Sequence, residues 1–233
     1  MMSVVDNLHN VRARIAAAAA AHGRAASEVA LLAVSKTHPP ELIRAAHGAG
    51  QRAFGENYVQ EALAKMERLR DLELEWHFIG ALQSNKTRAV AENCHWIHTV
   101  DRERIGRRLA AQRPHGRGPL NVCLEVNVSG EASKAGVAPG EALALARTLA
   151  PLPGLRLRGL MCVPAATDDA ARQRQAFCTL ARLLQELNAA GLALDTLSMG
   201  MTADLEAAIA EGSTLVRIGT GIFGPRPPAD GAS

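Results

Sequence analysis

Short apolar runs alternate with amphipathic segments along most of this chain. The run from Val29 to Val34 is continuously apolar, as in a parallel strand that is buried on both faces. Comparable runs predict strands at 29–35, 52–55, 75–80, 95–100, 120–128, 156–163, 194–198 and 214–218. Segments that predict helices lie between them, at about 40–49, 57–70, 84–92, 101–112, 139–149, 168–190 and 202–210, and an Ala-rich amphipathic helix precedes the first strand.

This alternation predicts the fold class. Each helix returns the chain to the same end of the sheet, so the strands are expected to be parallel. Eight repeats favour an α/β fold made of a single (β/α)8 TIM barrel with an extra N-terminal helix. An open dinucleotide-binding sheet is less favoured, because no G-x-G-x-x-G follows the first strand. We expect one domain over 1–226 and a disordered Pro/Gly-rich tail at 227–233.

The composition argues against a nucleic-acid partner. The chain has 26 Lys and Arg against 23 Asp and Glu, a formal net charge of +3, and an apolar fraction of 48% that suffices for one large core. The basic segment 102–108 is typical of a solvated helix face. Two Trp, one Tyr and four Phe offer little surface on which bases could stack.

Cysteine usage and hydropathy point to the cytoplasm. The chain shows no CxxC spacing and no secretory leader, so we interpret its four cysteines as reduced thiols: Cys94, Cys123, Cys162 and Cys178. Arg12 and Arg14 interrupt the first apolar segment too early for a signal peptide. No run approaches the roughly 18 apolar residues of a membrane span, so no membrane association is expected.

Lys36 follows the first predicted strand and is the first candidate for chemistry. In a barrel of this type the active site lies where the strands end. An ammonium group after a buried run is costly, so a partly desolvated lysine here is expected to have a lowered pKa and to attack a carbonyl as the neutral amine. The alternative is an ordinary surface lysine at the barrel mouth.

The segments LDTLSMGMTAD (194–204) and TLVRIGTGIFG (214–224) together favour a phosphate site. Barrels often bind phosphate in the loops after the seventh and eighth strands, where glycines allow close backbone approach and hydroxyls add donors. Ser198 closes the seventh strand, and Gly219 and Thr220 follow the eighth. Ordinary loop glycines are the alternative interpretation.

Carboxylates near this site would repel a phosphate. Asp204 and Glu206 fall in the first turn of a helix that we expect Thr202 to N-cap. We therefore expect both carboxylates to point away from the anion.

Arg217 is a charge inside an otherwise buried strand. Buried arginines are rarely unpaired, so a ligand atom or a structural carboxylate is expected beside it. Asn57 follows the second strand and either orients a ligand or caps its helix. Tyr58, the only tyrosine, is expected to pack rather than react.

Three histidines and two lysines are weaker candidates. His77 lies within a strand, where we expect a hydrogen-bonded core histidine. His95 and His98 should lie on opposite faces of one strand, so a shared metal is not expected. Lys86 and Lys134 fall on loops at the barrel mouth, where they bind an anion or are simply solvated.

Seven motifs in order resemble those of the pyridoxal 5′-phosphate (PLP) homeostasis proteins, across residues 28–226: AVSKTHP, FGENYVQE, EWHFIGALQSNK, NVSGEASKAG, LRGLMCVP, LSMGMTADLEAAI and VRIGTGIFG. The resemblance implies a barrel like the alanine racemase N-terminal domain, with PLP held as an imine. It implies that Lys36 forms the Schiff base and that Asn57 lies beside the ring. It also implies that Arg217 faces the pyridine nitrogen, and that the phosphate is bound by Ser198, Gly219 and Thr220. Ala81 and Thr202 depart from the usual proline and serine.

The resemblance favours a carrier over an enzyme. An arginine donates to an unprotonated pyridine nitrogen, which weakens the ring as an electron sink. Alanine racemase takes an opposing tyrosine from a second domain, whereas this chain ends soon after the eighth strand and has only Tyr58. We therefore expect a cytoplasmic PLP reservoir, a monomer or weak dimer, that affects amino-acid and keto-acid balance and passes PLP to apo-enzymes. A PLP-dependent racemase and a cofactor-free, aldolase-like barrel for phosphorylated sugars are the alternatives.

Overall fold

The computed structural model describes residues 3–131, 134–165, 167 and 169–225. Eight parallel strands close into a barrel in chain order. They are β1 Ala30–Val34, β2 Ala53–Glu56, β3 Glu75–Phe78, β4 Trp96–Val100, β5 Leu120–Glu125, β6 Leu155–Met161, β7 Thr196–Ser198 and β8 Leu215–Ile218. The predicted (β/α)8 barrel with an added N-terminal helix is confirmed. The expected tail at 227–233 lies outside the described residues.

Helices surround the barrel: α1 Val4–Ala21, α2 Pro40–Gly48, α3 Val59–Arg68, α4 Thr87–Asn93, α5 Glu103–Gln112, α6 Ala142–Leu149, α7 Ala170–Ala189, α8 Leu205–Ala210 and α9 Thr220–Phe223. Several begin later than predicted. The segment expected to start α4 at residue 84 is a single 3-10 turn, Ser84–Lys86. The segment before α8 is a turn in which Asp204 accepts a hydrogen bond from the Met201 amide. No helix in the described residues is long and apolar enough to cross a membrane.

The apolar core lies between the outer faces of the strands and the helices. Leu8, Val11 and Ile15 of α1 are buried in the cluster that includes Ile209 of α8 and Ile222 of α9. Alternation along each strand explains this packing, because every second side chain points outward to the helices. The N-terminal helix therefore adds to the wall beside β1 and β8.

Closure of the barrel brings the candidate loops together. β1 pairs with β8 in a register that sets Ala33 opposite Ile218. The residues that follow each strand, Lys36 on one side and Gly219 and Thr220 on the other, therefore leave the barrel at the same rim. This rim is the carboxyl end of all eight strands.

The barrel interior is unusually polar. His77, His98, Ser198 and Arg217 are each at most 5% exposed. His98 on β4 bonds Ser198 on β7, and these strands are not neighbours in the barrel order. Their hydrogen bond therefore crosses the interior, where branched apolar side chains usually dominate.

Candidate functional site

A cavity of about 400 Å³ opens at the carboxyl-end rim. That volume suits a small cofactor. Five of the six predicted site residues line it: Lys36, Asn57, Arg217, Gly219 and Thr220. Ser198 is not among the lining residues, because its side chain is fully buried below the cavity floor.

The backbone on both sides of Lys36 is anchored. The Ser35 carbonyl accepts a hydrogen bond from Lys65 Nζ at 2.7 Å. The Thr37 amide donates to Glu61 Oε1 at 2.6 Å, and Thr37 has a φ of 65°. A left-handed conformation is unfavourable for a β-branched residue and persists only where its surroundings impose it. The loop that carries Lys36 is therefore held in one conformation.

Lys65 is the centre of a buried ionic network under this loop. Its ammonium group lies 2.7 Å from Glu56 Oε1 and 2.6 Å from Glu61 Oε1. Ser35 donates a further hydrogen bond to Glu56 Oε1 at 2.6 Å. Burial raises the pKa of Glu56, and the positive charge of Lys65 opposes that rise. No sequence pattern pointed to this network, since Lys65 looks like an ordinary surface residue on α3.

Arg217 is held by oxygen atoms of the barrel. One terminal nitrogen donates to the Ser198 carbonyl at 2.6 Å and to the Ser198 hydroxyl at 2.8 Å. The other donates to the Cys162 carbonyl at 2.9 Å. No carboxylate among the described residues forms a salt bridge with it, so the structural ion pair considered from the sequence is not the arrangement found here. Burial lowers the pKa of this guanidinium, and its cavity-facing side is available to an acceptor.

Thr202 places its hydroxyl beside the glycine loop, whereas the sequence reasoning assigned it another role. Its side chain lines the cavity near Gly219 and Thr220, and its hydroxyl accepts a hydrogen bond from the Gly221 amide at 3.2 Å. The expectation that Thr202 caps α8 is wrong, because Asp204 occupies the N-cap position. The preceding turn shifts the helix start and turns Thr202 towards the glycine loop.

Asn57 carries a buried acceptor that lacks a partner. Its Oδ1 atom makes no hydrogen bond with the described residues, and its side chain lines the cavity. Burying such an atom costs free energy unless a ligand or water satisfies it. Asn57 does not cap α3, since Tyr58 holds the N-cap position. Tyr58 is 57% exposed, so it does not pack as expected.

The cavity lining is positively charged. Lys36 and Arg217 contribute to it, and no Asp or Glu appears among its described lining residues. Glu206 instead forms an ion pair with Arg14 of α1, as expected for a carboxylate that points away from the site. His38, which the sequence reasoning did not single out, is 6% exposed and stacks on Phe223. This donor set fits an anionic ligand.

The remaining histidine and lysine candidates lie outside the cavity lining. His77 is the hydrogen-bonded core histidine that was expected, with partners Glu75 and His98. The ring of His95 accepts from the Trp76 amide. Lys134 donates to the carbonyl of Val163, a cavity-lining residue, at 3.4 Å. Lys86 ends the 3-10 turn before α4 and does not line the cavity.

Known proteins share this fold and much of this sequence. A family model described as alanine racemase, N-terminal domain, matches residues 7–227. The pyridoxal phosphate homeostasis protein of Pseudomonas aeruginosa is 58% identical over 226 residues, which cover 97% of each chain. The chain belongs to the pyridoxal phosphate homeostasis protein family. The family member of Escherichia coli K12 is 51% identical over 229 residues, with 97% of this chain and 98% of that protein covered.

Solved structures extend the family comparison. PipY from Synechococcus elongatus PCC7942, solved with PLP bound, has a TM-score of 0.84 and 38% identity over 95% of this chain and 100% of its own. Alanine racemase from Corynebacterium glutamicum has a TM-score of 0.69 at 16% identity, over 99% of this chain and 62% of the racemase. The second likeness shows only the fold, which the homeostasis family therefore shares with an enzyme.

Proposed function

We propose that this protein binds PLP at the carboxyl-end cavity, through Lys36, and acts as an intracellular carrier of the cofactor. The observation that carries the proposal is the convergence of Lys36, Arg217 and the loop 219–220 on one positively charged cavity. PipY, a relative with the same fold, has been solved with PLP bound. The unpartnered Asn57 oxygen is a further polar contact that a ligand can satisfy.

Lys36 supplies the covalent contact. PLP contributes an aldehyde, which a neutral lysine amine converts reversibly to a C=N bond with loss of water. The hydrogen bonds on both sides of Lys36 fix the backbone of its loop, so little backbone conformational entropy is lost on binding. A reversible bond of this kind suits storage and release.

The phosphate contacts are assigned to the glycine loop and its hydroxyls. Thr202, Gly219 and Thr220 line one part of the cavity, where hydroxyl and backbone donors can face an anion. In place of direct phosphate binding, we assign Ser198 the support of Arg217, because its hydroxyl is already bonded to that side chain.

Arg217 determines the protonation state of the pyridine nitrogen of the cofactor. A guanidinium has only donors, so it hydrogen-bonds an unprotonated pyridine nitrogen and leaves it uncharged. An uncharged ring withdraws electrons weakly and supports carbanion chemistry poorly. This favours carriage of PLP to apo-enzymes in the cytoplasm over amino-acid turnover.

The experiment is a visible absorbance spectrum of wild type and Lys36→Ala after incubation with PLP, followed by borohydride reduction and peptide mass mapping. We expect a C=N absorbance band in the wild type only, with the reduced adduct on Lys36. An unmodified Lys36 in the wild type would refute the proposal.

A racemase is the second candidate, and the observation that favours it is His38, a buried imidazole in the cavity lining. Solvent deuterium incorporation at Cα across a panel of amino acids separates the two functions. The carrier predicts no incorporation above a Lys36→Ala control.

A further inference from the structure

A continuous hydrogen-bonded chain of side chains runs through the barrel to the cavity. Glu75 Oε1 lies 2.7 Å from His77 Nε2, and His77 Nδ1 lies 2.9 Å from His98 Nε2. His98 Nδ1 lies 2.8 Å from Ser198 Oγ, and Ser198 Oγ lies 2.8 Å from the Arg217 guanidinium. The first member is at the amino end of β3, and the last lines the cavity at the opposite rim.

The carboxylate end determines the direction of the hydrogen bonds when both imidazoles are neutral. Glu75 can only accept, so His77 carries its proton on Nε2 and donates it to Glu75, whose pKa is lowered chiefly by this hydrogen bond. A neutral His77 then accepts at Nδ1, so His98 carries its proton on Nε2 and accepts the Ser198 proton at Nδ1. Ser198 is left to accept from Arg217, which can only donate. Both neutral imidazoles are therefore in the Nε2–H tautomer.

The surroundings of His77 and His98 favour neutral imidazole rings. Burial lowers the pKa of both His77 and His98, and the two rings are 2% and 0% exposed. His77 stacks on the Trp96 indole at 5.3 Å between ring centroids. Protonating either ring would place a second positive charge in the interior near Arg217, which burial makes costly.

We propose that Glu75, His77, His98 and Ser198 are positioning residues that hold the Arg217 guanidinium in a fixed orientation at the cavity. Arg217 then acts as a donor towards a ligand because its other donors are already used by Ser198 and the Cys162 carbonyl. The exposed carboxylate of Glu75, at the far rim of the barrel, influences the cavity through this chain. The effect on PLP rests on the proposed function, whereas the directed chain itself does not.

The direction of the hydrogen bonds between these side chains is tested first without any cofactor. Nitrogen-15 NMR of the histidine side chains should show His77 and His98 in the Nε2–H tautomer, and the Arg217 terminal nitrogens should give separate signals because rotation is hindered. Ser198→Ala should broaden the Arg217 signals and bring them closer together, because one of the three hydrogen bonds of the guanidinium is lost. An Nδ1–H or doubly protonated ring at either histidine, or unchanged Arg217 signals in Ser198→Ala, would overturn the proposal.

A double-mutant cycle then tests the influence of Glu75. Glu75→Gln keeps the size of the side chain and removes the charge that orients His77. We expect PLP to bind about threefold more weakly to Glu75→Gln and roughly tenfold more weakly to Ser198→Ala. In the Ser198→Ala background, Glu75→Gln should have no further effect, because the chain is already broken. Glu73→Gln, an equal change of charge at an exposed residue two positions away, is the control.

The outcomes separate this inference from the proposed function. If wild type forms no adduct with PLP, the proposed function fails. The NMR experiment then tests by itself whether the hydrogen-bonded side chains from Glu75 to Arg217 are arranged as proposed. If wild type binds PLP and Glu75→Gln behaves like Glu73→Gln, or its effect is fully additive with Ser198→Ala, the positioning role is wrong.

Discussion

Replacing Lys65 by methionine should destabilise the protein strongly and loosen the Lys36 loop. The Lys65 side chain is 5% exposed, and its ammonium group bonds three acceptors at 2.6–2.7 Å. Methionine fills a similar volume but leaves the Glu56 carboxylate, which is 1% exposed, without its counter-charge. Breaking a buried ion pair from one side costs about 3–5 kcal/mol. That is a large fraction of a typical stability of about 5–15 kcal/mol.

The pH dependence provides an internal check on this reasoning. Burial already raises the pKa of Glu56 above its unfolded value, and removing Lys65 raises it further. An acid whose folded pKa is raised favours folding at low pH, and that contribution is lost as the pH rises through the folded pKa. The destabilisation by Lys65→Met should therefore be smaller at pH 5 than at pH 8.

The assay is urea unfolding of wild type and variant, monitored by far-ultraviolet circular dichroism at both pH values. Arg68→Met is the matched control on the same helix, because Arg68 pairs with Glu41 at an exposed site and should contribute at most about 1 kcal/mol. Lys65→Met/Glu56→Gln should recover part of the loss. A loss no greater than that of Arg68→Met, or one independent of pH, would refute the account of the network.

Three other predictions concern separate groups. Burial beside Asp101 raises the pKa of Glu125 to about 7, so Glu125→Gln should stabilise the protein by about 3 kcal/mol at pH 8 and by little at pH 5, as urea unfolding would show. A Cβ on Gly80 would lie 2.0 Å from the Asn57 carbonyl, so Gly80→Ala should cost about 3 kcal/mol in unfolding experiments and weaken PLP binding in a spectroscopic titration. Among the cysteines, a thiol reagent should modify only Cys178 in the native state, because burial raises the pKa of the others to about 12: Cys94, Cys123 and Cys162.

Much of the fold was predictable because the signals are local. Each buried strand is a short apolar run, and each helix has its own apolar stripe, so eight alternating units are visible without knowledge of their packing. Element starts were less predictable. The turn at 201–204, for example, depends on two hydrogen bonds between Asp204 and Met201.

The residues of the candidate site were also predictable only in part. Lys36, Asn57, Gly219 and Thr220 could be proposed because each follows a strand, and residues after parallel strands meet at one rim. Ser198 and Thr202 could not be distinguished by that argument. The structure buries the first beneath Arg217 and turns the second into the cavity, since one ends a strand with its side chain inward and the other lies in a turn.

The amino-acid sequence by itself determined the number and type of repeating units, the single barrel and the rim at which the candidate site lies, because these follow from the period of the apolar residues and the positions of the loops. Only the tertiary structure decided which polar side chains meet. Lys65 reaches Ser35 from a neighbouring helix, and His98 reaches Ser198 across the barrel. These contacts join residues 30 and 100 positions apart. They depend on barrel closure and strand register, which no local pattern specifies.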